Sequence, residues 1–271
     1  MNFSLYKQMM RTNMKGIMSY GVGSAFYILL ILGIYPSIAG NAEDIEKMIK
    51  SMPEGFLNAF GFENGLGNLE DFMSGEYYGL IFIVILSIFS VMLSTKLLAK
   101  LVDQGSMAYI LSAPTTRGKV AFTQAAVLTT GLLIIMAVTT AAGLAGYHLM
   151  LDGDYDFNVS RFLVLNLVGF LLFFAVGGIS FLFSAISNDE KRALGLSGSI
   201  TFLFFSFDLL GKLSEKTEWL RSLSVFSLFR PGDIVNGSAD IAQVSFVLAA
   251  VGFAAFALSI LIFKKRDLPL L

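Results

Sequence analysis

Residues 162–187 read FLVLNLVGFLLFFAVGGISFLFSAIS and contain no Asp, Glu, Lys or Arg. An α-helix needs about 20 predominantly apolar residues to cross the hydrocarbon core of a bilayer. A single charge at the centre of such a helix costs about 2.5–3.5 kcal/mol on insertion scales, so an uncharged stretch of this length indicates membrane insertion. The stretch therefore predicts a transmembrane helix, and it sets the class of fold for the chain.

Five further apolar runs share these properties, and the composition of the chain agrees with them. Hydrophobic residues make up 55% of the 271 residues and charged residues 14%, whereas soluble domains are about 25% charged. Only the fifth run contains a charge, Asp208, and no period-two alternation suggests a barrel. The sequence predicts an all-α membrane protein, a single domain over residues 1–271. Its six spans are predicted at 17–39, 79–95, 120–151, 162–187, 193–210 and 241–263.

The distribution of Lys and Arg predicts the orientation of these spans. With the N-terminus in the cytoplasm, twelve of the 19 basic residues lie inside, although the last outer loop carries four. The inner set is Lys7, Arg11, Lys15, Lys96, Lys100, Arg117, Lys119, Lys191, Arg192, Lys264, Lys265 and Arg266. Positive charge is enriched on the cytoplasmic side of membrane proteins, so both termini are predicted to be cytoplasmic in the plasma membrane. No nucleic-acid partner is expected.

Two segments are predicted to lie outside the cell. Residues 40–78 carry eight acidic residues and two lysines, which favours a solvated loop with a short helix. An acidic funnel for a cationic substrate is the alternative. Residues 211–240 contain Trp219 and the apolar run 225–229, which is too short to span and is predicted to lie at the outer membrane interface.

Patterns that indicate catalysis or cofactor binding are missing from the sequence. It has one histidine, His148, no cysteine, no zinc-protease or serine-hydrolase motif and no P-loop. Asp152, Asp154 and Asp156 resemble only a fragment of a calcium loop, so no metal site is predicted. Asp208 is the only acid in a predicted span, and its place near the helix end favours a solvated role. The chain is predicted not to be an enzyme and to bind no cofactor itself.

The first 16 residues favour a helix that lies on the inner leaflet. Lys7, Arg11 and Lys15 recur at four-residue spacing and therefore share one helix face. Apolar side chains such as Phe3 and Met10 follow on a neighbouring face. The pattern predicts an interfacial helix over 1–16 whose basic side chains reach the headgroups, and which turns into the first span. A plain basic flank that sets the topology is the alternative.

A second short helix is predicted between the second and third spans, over residues 103–114. Met107, Ile110 and Leu111 recur at helical spacing, Asp103 is a candidate N-cap, and Pro114 disfavours helix at the residue before it. A soluble loop has no need for this apolar stripe. Burial against another protein would account for it.

This segment resembles the signature of type-2 ABC exporter permeases. That signature has an acidic residue, Gly, Thr or Ser, two leucine-like residues, a small residue, Pro and Arg in this order. The matching positions are Asp103, Gly105, Ser106, Ile110, Leu111, Ser112, Pro114 and Arg117. Asp103 and Ser106 depart mildly, since the family usually has Glu and Thr there. The C-terminal ending also resembles that of the family; it runs from Phe263 through Arg266 and Asp267 to Leu268. The six-span layout resembles the family as well.

The resemblance implies a transporter of two permease chains, identical or different, and two separate ATPase subunits, which hold the ATP and Mg. The helix over 103–114 would be the coupling helix that docks on the ATPase. Met107, Ile110 and Leu111 would insert into it, and Asp103 and Arg117 would fix the helix by polar contacts. The complete contact set would be Asp103, Gln104, Gly105, Ser106, Met107, Ile110, Leu111, Pro114 and Arg117. The second inner loop, with Asp189, Glu190, Lys191 and Arg192, would be a smaller contact.

The resemblance also implies roles for the flanking segments. Residues 1–16 would be the family's interfacial connecting helix, and residues 211–240 would be its outer re-entrant region. The predicted spans carry Phe, Met, Ser and Thr but no charged lining, which favours an amphipathic or hydrophobic cargo such as a peptide, drug or lipid. The chain also resembles Gram-positive permeases that expel amphipathic peptides such as phenol-soluble modulins. A membrane-embedded scaffold or regulatory subunit without its own translocation path is the alternative function.

Overall fold

A computed structural model describes residues 1–41, 68–152 and 154–267, together with the separate positions Lys47, Ser51, Pro53, Gly55 and Leu57. Most of the predicted outer loop 40–78, with its acidic funnel, lies outside the described residues. So does Leu268 of the C-terminal ending. All elements described below are helical.

Six long helices are apolar enough to cross a membrane, which confirms the predicted number of spans and the all-α class. They are Phe3–Ala39, Leu69–Asp103, Arg117–Met150, Val159–Ile186, Glu190–Leu213 and Ile241–Lys265. The chain is therefore a multi-pass membrane protein. The first helix has 37 residues and is about 55 Å long, well beyond the thickness of a bilayer core.

The elements are numbered here in chain order. The helices are α1 (Phe3–Ala39), α2 (Leu69–Met73), a π-helical segment (Ser74–Ile81), α3 (Phe82–Leu97), α4 (Ala99–Asp103), α5 (Ser106–Ser112), α6 (Arg117–Met150), α7 (Val159–Ile186), α8 (Glu190–Leu213), two 3₁₀ helices (Glu215–Leu223 and Val225–Leu228), α9 (Pro231–Asn236) and α10 (Ile241–Lys265). The second long helix thus joins α2, the π-helical segment, α3 and α4.

This second long helix begins well before residue 79, where the second apolar run was predicted to start. Asn68 is its N-cap, since the Asn68 Oδ1 accepts a hydrogen bond from the Asp71 N–H at 2.7 Å. The helix therefore contains Glu70, Asp71 and Glu76. Asp208 is the only acid within the predicted bounds of the spans, but the helix that contains the second span holds three more acids before residue 79, because the cap and the π-helical turn carry the helix through a polar stretch.

Two pairs of long helices pack closely at glycines. α1 lies along α6, and α10 lies along α7. A side chain at Gly252 of α10 would collide with the Phe174 ring, and one at Gly178 would lie 3.0 Å from the Gly252 carbonyl oxygen. Small residues let membrane helices approach this closely, and the resulting van der Waals contact holds the helices together.

Part of the apolar run 225–229 packs inside the protein, and its predicted depth at the membrane interface stays a prediction. Phe226 and Phe229 are buried. The Phe229 ring lies 5.9 Å from that of Phe82, and the Phe226 ring 6.4 Å from that of Phe173. Aromatic rings attract one another at these separations, so neighbouring helices rather than lipid surround the run. Trp219, in contrast, is exposed.

Asp208 is only 3% exposed, so the prediction of a solvated role is wrong. Its carboxylate lies 2.8 Å from the Lys212 Nζ and 3.4 Å from the Arg221 Nε. Arg221 reaches it by crossing directly over Gly211, where any side chain would collide with it. A buried charge requires ionic or hydrogen-bonding partners, and here both are supplied by the chain itself.

Candidate functional site

The two ends of the described chain, at Asn2 and Arg266, lie at the same end of the helix bundle. The Asn2 N–H donates to the Thr123 Oγ1 at 2.9 Å, close to the start of α6. The Arg117 side chain, also at the start of α6, donates to the backbone carbonyl of Arg266. We call this end the termini face. It also carries α5 and the connection between α7 and α8, where the predicted site residues lie.

A short helix occupies the predicted coupling segment, but its start differs from the prediction. Gly105 has φ +69°, the left-handed region that glycine adopts most easily, and α5 begins at Ser106. Asp103 therefore does not cap this helix; it is the last residue of α4. The end agrees with the prediction, since Ala113 before Pro114 is extended and α5 ends at Ser112.

The apolar stripe of α5 faces the interior of this chain. Met107 is 1% exposed, and Ile110 and Leu111 are half-buried against the same core. The prediction that Met107 inserts into a partner is therefore wrong, because its side chain is already enclosed within this chain. Tyr109 is instead 83% exposed. The sequence analysis missed Tyr109, although its position two residues after Met107 places it on the opposite face of a helix.

Gln104, Ser112 and Pro114 flank Tyr109 and are also exposed, whereas Gly105 and Ser106 are half-buried. The exposed part of the predicted coupling segment therefore consists of the turn before α5, the side of α5 that carries Tyr109, and the turn after α5. We call this surface the Tyr109 face.

Hydrogen bonds join the two predicted inner loops into one unit. The Asp103 Oδ2 accepts from the Glu190 N–H at 3.1 Å, and the Lys100 Nζ lies 2.8 Å from the Glu190 Oε1. Asp189 caps α8, since its Oδ1 accepts from the Arg192 N–H at 2.7 Å. Lys191 and Arg192 remain exposed. The start of α8 is thus fastened to α4, immediately before α5.

The C-terminal ending is fastened to the same face. The Arg266 guanidinium donates to the carbonyl oxygens of Ala185 at 2.6 Å and Ser187 at 3.0 Å, and also to the Asn188 side chain. Arg117 bonds to the Arg266 carbonyl and lies 3.9 Å from the exposed Asp267. Arg117, predicted to contact an ATPase, therefore already has partners within the chain.

The basic N-terminal residues lie on a continuous helix that changes direction relative to α6. Ile17 lies against Gly131 and Leu32 against Gly146, so fifteen residues of α1 run beside fifteen of α6. Nearer the N-terminus, the Tyr6 hydroxyl donates to the Thr130 Oγ1 at 3.0 Å. The Asn2 backbone, however, lies at Thr123, so the fifteen residues from Asn2 to Ile17 pass beside only eight residues of α6. This part of α1 is therefore inclined to α6, and one continuous helix joins it to the first span.

The basic side chains on this part of α1, Lys7, Arg11 and Lys15, are all exposed. Within the described residues, no three His, Cys, Asp or Glu side chains come together as a metal site. The polar chemistry of the termini face therefore consists of ion pairs and hydrogen bonds that hold segments of the chain together.

An apolar cavity of about 550 Å³ lies between α3 and α8. Its walls include Val84 and Ile88 of α3 and Gly198, Phe202 and Phe205 of α8. A second, narrower cavity continues from Met92 and Leu194 towards the termini face, where Asn13, Thr95 and Lys96 line it. Together the two cavities form a groove along α3.

Residues 4–268 match a protein family described as ABC-2 family transporter protein. The match includes nearly the whole chain, from the start of α1 past the C-terminal Arg266. No curated protein sequence matches the chain.

Proposed function

Because this chain belongs to the ABC-2 family of transporter proteins, we propose that it exports an amphipathic or hydrophobic substrate and is driven through the Tyr109 face. The chain is the membrane permease component of an ABC-2 type transporter, and such a permease implies a separate ATP-binding subunit. The direction of transport, the docking surface and the substrate class are the parts that we propose.

The exposure of Tyr109 is the observation that carries the docking proposal. A tyrosine that is 83% exposed beside the buried Met107 presents a large aromatic surface outside the chain. Tyrosines are enriched among the residues that dominate the energy of protein interfaces. We infer that Tyr109 inserts into the ATPase subunit, with Gln104 and Pro114 at the edge of the contact. Asp189, Lys191 and Arg192 form the smaller second contact.

The bonds behind the Tyr109 face supply a mechanical connection to the membrane. Met107 anchors α5 in the core, and the backbone connects α5 through α4 to α3. The Asp103 and Lys100 contacts with Glu190 connect the same unit to α8. A displacement of α5 by the ATPase would therefore move α3 and α8, which are the two walls of the larger cavity.

In this proposal the termini face lies in the cytoplasm, where the ATP is. The exposed Lys7, Arg11 and Lys15 would then contact lipid headgroups of the inner leaflet, since that part of α1 is inclined to α6. A second permease chain, identical or different, completes the transporter.

The groove along α3 supports the substrate class. A cavity of about 550 Å³ is within the usual range of about 300–1,000 Å³ for small-molecule sites. Its apolar walls suit an acyl chain, a drug or one face of an amphipathic peptide, including peptides of the phenol-soluble modulin kind. A scaffold or regulatory subunit would not need such a groove.

The docking proposal is tested by Tyr109→Ala. We expect about tenfold less ATPase subunit to co-purify with the variant from native membranes in mild detergent, because a tyrosine at the centre of an interface is a typical hot spot. Substrate-stimulated ATP hydrolysis of the purified complex should fall in parallel.

Trp219→Ala is the matched control, since Trp219 is also a mainly exposed aromatic residue but lies near the opposite end of the bundle. It should retain the ATPase in full. If the Tyr109→Ala chain is monodisperse and still binds the ATPase as tightly as the unaltered chain, the docking surface is elsewhere.

A further inference from the structure

The second long helix carries a row of accessible side chains between Glu76 and Lys96, half-buried in its first two members and exposed in the others. Every fourth residue lies in this row, and the residues between them are mostly buried. The row forms a face that consists of Glu76, Leu80, Val84, Ile88, Met92 and Lys96. Its middle is apolar and borders the groove, while Glu76 lies at the end away from the termini face and Lys96 lies at the termini face.

The Glu76 carboxylate has no hydrogen bond or ion pair with any residue that the structure describes. It is half-buried and follows the buried Ser74 and Gly75 in the π-helical segment. The other acids of the long apolar helices all have partners within the chain. They are Glu70 with Asn158, Asp71 with Asn68 and Asn236, Asp103 with the Glu190 N–H, Glu190 with Lys100, and Asp208 with Lys212 and Arg221.

The missing partner of Glu76 matters because of where the residue lies. Ionisable side chains in membrane helices are costly and are usually paired or face a pathway. π-Helical segments are uncommon and frequently mark functional sites. Glu76 combines both features. Val84, eight residues further along the helix, is where the lining of the apolar cavity begins on this face, so Glu76 lies beyond the end of the cavity by about 12 Å.

Lys96 cannot neutralise Glu76 from the other end of this face. Twenty residues separate them, about 30 Å along a helix, far beyond the roughly 4 Å of an ion pair. The walls of the cavity between them carry no basic residue among those described. None of the ion pairs among the described residues gives Glu76 a positive charge, and a cationic molecule in the groove would supply one.

We propose that the groove binds a lipophilic cation, with its apolar tail between α3 and α8 and its cationic group paired with Glu76. The inference rests on the proposed transport function and adds the charge of the substrate to it. A cationic group gains a charge-assisted contact with a half-buried carboxylate, whereas an anionic group of the same shape is repelled.

The test uses the full chain in phosphatidylcholine nanodiscs and two photoreactive probes with the same dodecyl tail carrying a diazirine. One probe has a trimethylammonium head and the other a sulfate head. We expect the cationic probe to label α3 and α8 saturably, and Glu76→Gln to raise its half-saturating concentration about tenfold, as for the loss of one strong polar contact. The sulfate probe should label the groove weakly and should not respond to Glu76→Gln.

Glu218→Gln is the control, because Glu218 is an exposed acid on the 3₁₀ helix Glu215–Leu223; it should behave as the unaltered chain. Equal labelling by both probes, labelling spread over α10 as well, or no effect of Glu76→Gln would overturn the inference. The inference would also be overturned if cross-linking of two copies of the chain prevented the probes from labelling the groove. Co-purification of the ATPase with the Glu76→Gln chain, measured in parallel, tests the docking proposal separately.

Discussion

At the scale of single residues, the ionic partners of a charged side chain decide where it lies in the structure more than its place in the sequence does. Asp208 is buried in an otherwise apolar helix, and Lys212 and Arg221 hold it there. Because Gly211 has no side chain, Arg221 can cross α8 and reach the carboxylate. The cluster fastens the 3₁₀ helix Glu215–Leu223 to the end of α8.

Asp208→Ala should destabilise the protein, because it leaves two cations in a mainly buried site without an anion. Removal of one partner from a buried ion pair costs about 3–5 kcal/mol, so we expect a clearly lower midpoint of thermal unfolding in detergent. Asp233→Asn is the comparison, since the Arg230–Asp233 pair is exposed with atoms 3.7 Å apart and exposed pairs contribute about 0–1 kcal/mol. Equal midpoints for the two variants would contradict a structural role for the Asp208 cluster.

At the scale of elements, the termini face is held by side chains that bond to helix ends. The Arg266 guanidinium binds the carbonyl oxygens of Ala185 and Ser187 at the end of α7, where helix carbonyls lack partners within the helix. A cation at this position also interacts favourably with the negative end of the helix dipole. The sequence analysis named Arg266 as an inner basic residue and as part of the C-terminal ending that resembles a family, but nothing in the local sequence reveals this distant contact.

Arg266→Ala should free the end of α7 and the start of α8. Hydrogen bonds to a charged group contribute about 1.5–3 kcal/mol, so amides near residues 185–190 should exchange with deuterium at least about tenfold faster. Mass spectrometry of the exchanged peptides measures this. Lys265→Ala is the control, because Lys265 is exposed and makes no such contact in the described part of the chain. Faster exchange in both variants would mean that the loss of charge, rather than of the contacts, is responsible.

At the scale of the whole molecule, the long helices form a bundle in which both termini and α5 share one face. The chain crosses this bundle an even number of times, so the side that holds the termini also holds the Tyr109 face. The excess of Lys and Arg on that face favours a cytoplasmic location. The residues near Trp219 then lie on the other side of the membrane.

The orientation can be measured directly because the chain has no cysteine. In intact cells, a membrane-impermeant maleimide should modify Glu218→Cys and should modify Tyr109→Cys only after the membrane is permeabilised. Both positions are exposed, so in cells that lack the ATPase subunit access to the reagent depends on the side of the membrane alone. The reverse pattern of labelling would place the Tyr109 face outside and would exclude its contact with a cytoplasmic ATPase.

The sequence by itself determined the number of long helices, their approximate positions and the short helix before Pro114. These features depend on local composition, since about 20 consecutive apolar residues suffice to indicate a span. Only the tertiary structure decided that Met107 is buried while Tyr109 is exposed, that Phe226 lies in the core, and that Asp208 is paired while Glu76 is not. Burial and pairing depend on neighbours from distant parts of the chain, and no local pattern contains that information.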